Sequence, residues 1–249
     1  MTDHEKALEM IMAREAIPIA LDPAHTALLI VDVQRFFTKP DADFARVFEK
    51  VSPGLMGGYF KRTASTVLPN IKRLQECFRS SDLPVIFCVF GGYRTDGQDL
   101  PTWLRDFDQL ALHVLGRRVN PVVNGESWQV DDAISPLPGE MVFNKTSSGA
   151  LASTKLDQLL NNAGITSLVV CGLTTAVCVA QTARETADRG FRVVIAEDAC
   201  TEMSVEEHDA ALLTFRRTFG QARKTSEITG FFADRRVTTK TVSVGASAA

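Results

Sequence analysis

The chain has 249 residues, 45% of them apolar and 23% charged, enough for one large domain with its own core. A formal net charge of −3, with no Lys/Arg block longer than a pair, leaves no electrostatic footprint for nucleic acid or an anionic membrane, so small molecules are the expected partners. No apolar run reaches the ~18 residues a membrane span needs, and the N-terminus "MTDHEKALEMIMAREAIPIALDP" lacks the apolar core of a signal peptide; a cytoplasmic protein is the expectation.

In chain order, an amphipathic N-terminal helix within residues 1–20 precedes "TALLIVDV" (26–33), a strand buried on both faces. "RTASTVLPNIKRLQECFRSSD" reads as a helix, with Pro69 in its first turn or at a kink. "LPVIFCVF" (83–90) is the second strand. From Gly91 to Pro138 the pattern is irregular and carries Trp103 and Trp128, as expected of a long loop region that covers a site. "EMVFNK" is a short strand, followed by the helix "STKLDQLLNNAG", with Ser153 or Thr154 as cap and Gly164 as stop. "SLVVCGL" is a strand, "AVCVAQTARETADRG" a helix closed by Gly190, and "FRVVIAED" a strand. "SVEEHDAALLTFRRTFG" begins with a capping box, Ser204 and Glu207, and "QARKTS" supplies a sixth strand. The tail, 233–249, is read with the N-terminal helix as an appendage to one domain spanning 1–249.

Strands alternating with helices in this way predict an α/β fold: three αβα layers, Rossmann-like, around a six-stranded and mainly parallel sheet. Ligands of such sheets bind beyond the carboxyl ends of the strands, so polar residues there carry the functional reading. Asp32 follows "LLIV" directly and needs a charged or hydrogen-bonding partner; it is either a general base or a brace for the next loop. Lys145 ends "MVFNK" in the same way and either reaches solvent or meets Asp32, lowering its pKa and holding it ionised.

Five cysteines, an odd number with no CxxC, suggest reduced thiols, and the four histidines are too dispersed for a zinc site. Cys171 lies mid-strand, and packing is the role expected of it and of Cys77, Cys88 and Cys200. Cys178 lies near a helix start after the turn "GLTTA". It either packs or serves as a nucleophile, the helix N-terminus favouring thiolate and offering backbone N–H groups to an oxyanion.

The order of "ALLIVDVQRFF", "NKTSSGALASTKLDQLL" and "VVCGLTTAVCVAQTARETADRGFRVVIAEDAC" resembles the isochorismatase-like cysteine hydrolase superfamily over roughly residues 24–230. The resemblance implies an Asp–Lys–Cys triad of Asp32, Lys145 and Cys178. It also implies a cis peptide at Leu173–Thr174, turning the Thr174 N–H toward that of Cys178 to form an oxyanion hole. The implied reaction is hydrolysis of a small-molecule carboxamide at its C–N bond through a Cys thioester, without cofactor, by a homo-oligomer, either dimer or tetramer.

Two departures narrow this. Nicotinamidases carry a His-rich metal site after the first motif, whereas residues 33–100 contain no histidine, so no catalytic metal is expected. Isochorismatases cleave an enol ether and often lack the Cys; "VDVQRFFTKP" nevertheless resembles their first motif and keeps that activity as the alternative, with a non-catalytic scaffold as a third reading. Many relatives have Ser and Phe where this chain has Gly149 and Leu151. Candidate substrate contacts are Phe37 as an apolar wall, Arg94 as partner of a substrate carboxylate, and Trp128 as a cover or subunit contact.

Overall fold

β1 (Thr26–Val31) is buried along its whole length, as a β-branched and aliphatic run with no polar alternation must be when both faces of a sheet are covered. The computed structural model describes residues 1–233, so the expected tail, apart from Ala233, lies outside the described residues. β2 (Val85–Phe90), β3 (Met141–Lys145), β4 (Ser167–Leu173), β5 (Arg192–Thr201) and β6 (Gln221–Arg223) complete a sheet of order β3-β2-β1-β4-β5-β6. Every pairing is parallel.

The strand order reverses between β1 and β4. Right-handed crossovers then send the helices of the two halves to opposite faces and leave a crevice where β1 and β4 end. α5 (Leu68–Arg79) packs on β1 and β2, while α8 (Ala180–Asp188) and α9 (Val205–Thr218) pack on β5. α9 starts with the capping box of Ser204 and Glu207, and α1 (Asp3–Glu15) lies against α9.

Pro69 lies in the first turn of α5, and a π-type turn at Thr63–Val67 joins α5 to α4 (Gly57–Arg62), so Gly57–Arg79 runs on as one helix. A proline ring crowds the carbonyl four residues back, and the wider turn provides room for it.

Besides α4 and a helix over residues 225–233, three helices lie where none was read. α2 (Arg35–Thr38) and α3 (Asp43–Val51) follow β1, and α6 (Thr102–Leu115) occupies the middle of the region read as irregular. α6 has apolar residues at 103, 104, 107, 110, 111, 114 and 115, a helical stripe, and Gly116 ends it in the left-handed conformation. The Gly, Pro and Trp residues around it obscured that stripe. α7 (Leu156–Asn162) has Lys155, and not Ser153 or Thr154, at its N-cap, although the Thr154 hydroxyl accepts the Leu156 N–H at 3.1 Å.

Candidate active site

The chain leaves β1 through Asp32, whose φ is +53°, and Asp is one of the few non-glycine residues that tolerates this region. Lys145 is the last residue of β3, and β2 lies between it and β1. Its side chain spans that gap to place Nζ 2.7 Å from Asp32 Oδ2. The ammonium also donates to the Ser147 carbonyl at 2.8 Å and lies 5.7 Å from the centroid of the Phe90 ring. Both side chains of the pair have 0% exposure.

Cys178 arrives from the other side of the switch point, on a π-type turn (Thr175–Val179) that runs from β4 into α8. Its thiol lies beside Asp32 and Lys145. The Leu173–Thr174 peptide is cis. Two further contacts hold this turn. Gly172 has φ +126°, and a Cβ there would meet the Val31 carbonyl oxygen at 2.0 Å, so β4 approaches β1 more closely than any side chain permits. Glu202, buried just past β5, accepts the N–H groups of Ala176 at 2.9 Å and Met203 at 3.0 Å.

Burial lifts the Asp32 carboxyl above the ordinary Asp range, and the nearby ammonium, which pulls the other way, does not cancel that effect. The expectation that Lys145 would leave Asp32 with a lowered pKa is thus corrected by desolvation. Burial, the largest single influence, pushes Lys145 down, but the charge and hydrogen bond of Asp32 and the neighbouring Cys178 and Cys88 together outweigh it, and Lys145 stays above its usual value. Cys178 differs from expectation as well: burial first, then the Asp32 charge, pushes its thiol up, so the resting group is the thiol and not the thiolate favoured by a helix N-terminus. A basic carboxylate beside a protonated thiol is a base poised next to its proton donor. Cys171, fully buried in β4, is also pushed well up by burial, and Cys88 is pushed to about 12 by the same cause.

Lys145, Thr174 and Cys178 line the floor of a cavity of ≈ 410 Å³, and Asp32, paired with Lys145, is buried outside that lining. Phe37 lies in the cavity's wall. Arg94 and Trp128 are not among its lining residues. The Arg94 side chain is 60% exposed and forks onto Asp96, with Nε 2.8 Å from Oδ1, so its guanidinium is engaged by its own loop. Trp128 donates from Nε1 to Asn144 Oδ1 at 2.7 Å, and Asn144 donates to the Gly91 carbonyl at 2.8 Å. It therefore braces the strand ends one residue before Lys145 instead of covering the site. Arg35 pairs with Asp132 at 2.7 Å.

Gly149 sits where a Cβ would meet the Glu185 carboxylate at 2.1 Å, and that carboxylate accepts the Leu151 N–H at 2.9 Å. The substituted part of the middle motif is thereby tied to α8, and Ser147 and Ser148 face the cavity.

Two residues of the site region were missed. Buried Gln34 donates to the carbonyls of Phe90 at 2.8 Å and Trp128 at 2.9 Å, and accepts the Phe90 N–H at 2.7 Å, locking the loop after β1 to the end of β2. Glu202 escaped notice because the strand before it was read as ending at 198; β5 runs on to Thr201, so Glu202 also stands at a strand's carboxyl end.

An acid, an ammonium and a thiol meet at the switch point of a parallel sheet, the place where ligands of such sheets bind. The Isochorismatase domain family model matches residues 26–227, and the chain belongs to the isochorismatase family of hydrolases. It is 31% identical over 221 residues to the ureidoacrylate amidohydrolase RutB of Methylobacterium radiotolerans, covering 82% of this chain and 78% of that one. It is 28% identical over 170 residues to an N-carbamoylsarcosine amidase of an Arthrobacter species, covering 68% of this chain and 56% of the other. Among solved structures, a cysteine hydrolase from Pseudomonas syringae pv. phaseolicola superposes with a TM-score of 0.70 at 22% identity, covering 86% of this chain and 95% of that one. Among the described residues no helix is long and apolar enough to cross a membrane.

Proposed function

We propose that this protein is a cysteine amidohydrolase that cleaves the C–N bond of a small-molecule carboxamide through a thioester on Cys178. One observation carries the reading: Lys145 Nζ sits 2.7 Å from Asp32 Oδ2, with the Cys178 thiol beside them, and Lys145 and Cys178 both line one cavity. The relatives named as ureidoacrylate amidohydrolase and N-carbamoylsarcosine amidase support a C–N bond as the target.

In this mechanism Asp32 takes the thiol proton as Sγ attacks the carbonyl carbon. The backbone N–H groups of Thr174 and Cys178 receive the oxyanion, so its charge forms against fixed dipoles and not against water. Collapse breaks the C–N bond, the amine leaves with the proton from Asp32, and a thioester remains. Water then attacks the thioester and gives its proton to Asp32; the acid departs and the thiol is restored. Lys145 keeps the carboxylate ionised before each proton transfer and holds its orientation. No step calls for a cofactor or metal.

We also read residues 1–233 as one domain, a reading supported by a core cluster that runs without a break from Leu21 to Phe232, and the chain as a subunit of a homo-oligomer.

Intact-protein mass spectrometry with a carboxamide panel tests the reading. The expected result is an acyl adduct on Cys178, with turnover falling at least ~10³-fold in Cys178→Ala while the fold persists. Undiminished amide turnover in that variant sinks the covalent route. Enol-ether cleavage that survives it would favour the isochorismatase-type reaction, and an intact protein inert toward every substrate would favour a scaffold.

A further inference from the structure

The walls of the cavity differ sharply from its floor. Phe37 from α2, Phe44 from α3, Phe90 from β2, and Trp103 and Phe107 from α6 surround the space above Cys178. The rings pack against one another, with centroids 5.1 Å apart for Phe37–Phe44, 6.1 Å for Phe44–Phe107 and 6.5 Å for Phe37–Phe90. A wall built this way is rigid and offers ring faces and edges, the surface that receives another aromatic ring or a branched hydrocarbon.

The charges around the cavity are equally one-sided. Lys145 is the one cation among the lining residues, and its ammonium is engaged by Asp32 and the Ser147 carbonyl. The other charged lining residues, Asp106 and Glu202, are acids. A substrate carboxylate entering here would lose its water, find no free cation and approach two carboxyl groups. Ureidoacrylate and N-carbamoylsarcosine are both carboxylates, so this cavity is built for a different kind of molecule than the names of those relatives specify.

We infer that the substrate is an uncharged carboxamide bearing an aromatic or branched-hydrocarbon group, which the rings of α2, α3 and α6 hold while the amide carbonyl lies over Cys178. The inference rests on the amidohydrolase reading for the reaction, whereas the selection of an uncharged apolar group rests on the walls alone. An apolar pocket distinguishes groups differing by one methylene by roughly 10-fold or more, so removal of a whole ring produces a larger loss.

Two measurements separate the claims. Steady-state kcat/KM is compared across acetamide, phenylacetamide, its ring-carboxylated analogue and ureidoacrylate. Phenylacetamide is expected to exceed each of the others by at least ~10-fold; an equal or higher value for either carboxylate overturns the inference and leaves the amidohydrolase reading standing. Binding to Cys178→Ala, followed by calorimetry, should show the same preference without turnover. If that preference appears although the intact protein turns over no amide, the inference about the cavity stands and the reaction assignment fails; no preference in binding overturns the inference. Trp103→Arg sharpens the test, since it puts a cation into the wall at a side chain already 49% exposed. The variant is expected to shift the kcat/KM ratio toward the ring-carboxylated analogue by at least ~10-fold, and an unchanged ratio counts against charge selection at this wall.

Discussion

The floor and the walls of the cavity are built from different materials and depend on the chain differently. The floor consists of strand ends: Lys145 at the end of β3 with Asp32, after β1, paired to it, the Cys178 turn after β4 and Glu202 after β5, all buried and tied by ion pairs or backbone hydrogen bonds. The walls, apart from Phe90 of β2, are helices that lie off the sheet and meet through aromatic rings. Strand ends are positioned by the whole sheet, so groups there keep the geometry that chemistry needs, whereas off-sheet helices vary without disturbing it. On the proposed mechanism, reaction type is therefore a property of the floor and substrate choice a property of the walls.

The strongest way to break that division is to change the floor without changing its shape. Asn tolerates the φ of +53° at position 32 and nearly matches the volume of Asp, so Asp32→Asn removes the base and leaves the backbone as it is. Its kcat/KM should fall by about 10²–10⁴-fold. It also leaves the Lys145 ammonium buried without its anion, which costs about 3–5 kcal/mol in denaturant unfolding. The double variant Asp32→Asn/Lys145→Met should recover most of that stability and none of the activity. Recovery of both would mean that the pair is structural.

A smaller effect is expected from the hinge between sheet and nucleophile. Gly172→Ala drives a methyl group into the Val31 carbonyl, at a φ of +126° that other residues rarely adopt. β4 and β1 must separate at the point where they present Cys178 and Asp32. We expect a loss of about 3 kcal/mol in stability and a lower kcat. A variant with native stability and rate would show that the close approach of the two strands does not set the site.

The same division decides how much could be read beforehand. The sheet was legible because its strands are short, apolar and bounded by turn residues, and the six strand positions follow that pattern. Asp32 and Lys145 stood out because an ionisable side chain at the end of such a run is conspicuous, Cys178 because a thiol follows a small-residue turn near a helix start, and the resemblance joined the three. The walls were not legible. α2 and α3 carry four phenylalanines in a polar stretch, and their meeting with Trp103 and Phe107 is a tertiary event that no local period encodes. Arg94 and Trp128 were chosen for their chemistry within that region, and a neighbour satisfies each: Asp96 for the guanidinium, Asn144 for the indole. Burial was the other hidden quantity. Sequence places Lys145 near Asp32 but does not reveal that both have 0% exposure, and this reverses the expected direction of the Asp32 shift.

That reversal yields the smallest but most discriminating prediction. The proposed mechanism needs Asp32 ionised, and burial raises its pKa, so on that mechanism the acid limb of kcat/KM should fall above the usual Asp value of ~3.9. Because the folded state binds this proton more tightly than the unfolded chain does, the Asp32 contribution to stability is greatest at low pH and is lost as pH rises from the unfolded pKa through the folded one. Lys145 is also raised, so the stability it adds is present below the usual lysine range and is lost as pH climbs through its folded value. The ammonium lowers Asp32, so Lys145→Met should move the acid limb further upward while slowing turnover. Trp103→Ala, a change in the wall, should alter KM and leave the limb in place. A limb that moved with Trp103, or one that stayed put when Lys145 was replaced, would mean that floor and walls are electrostatically one unit and that the division drawn between them fails.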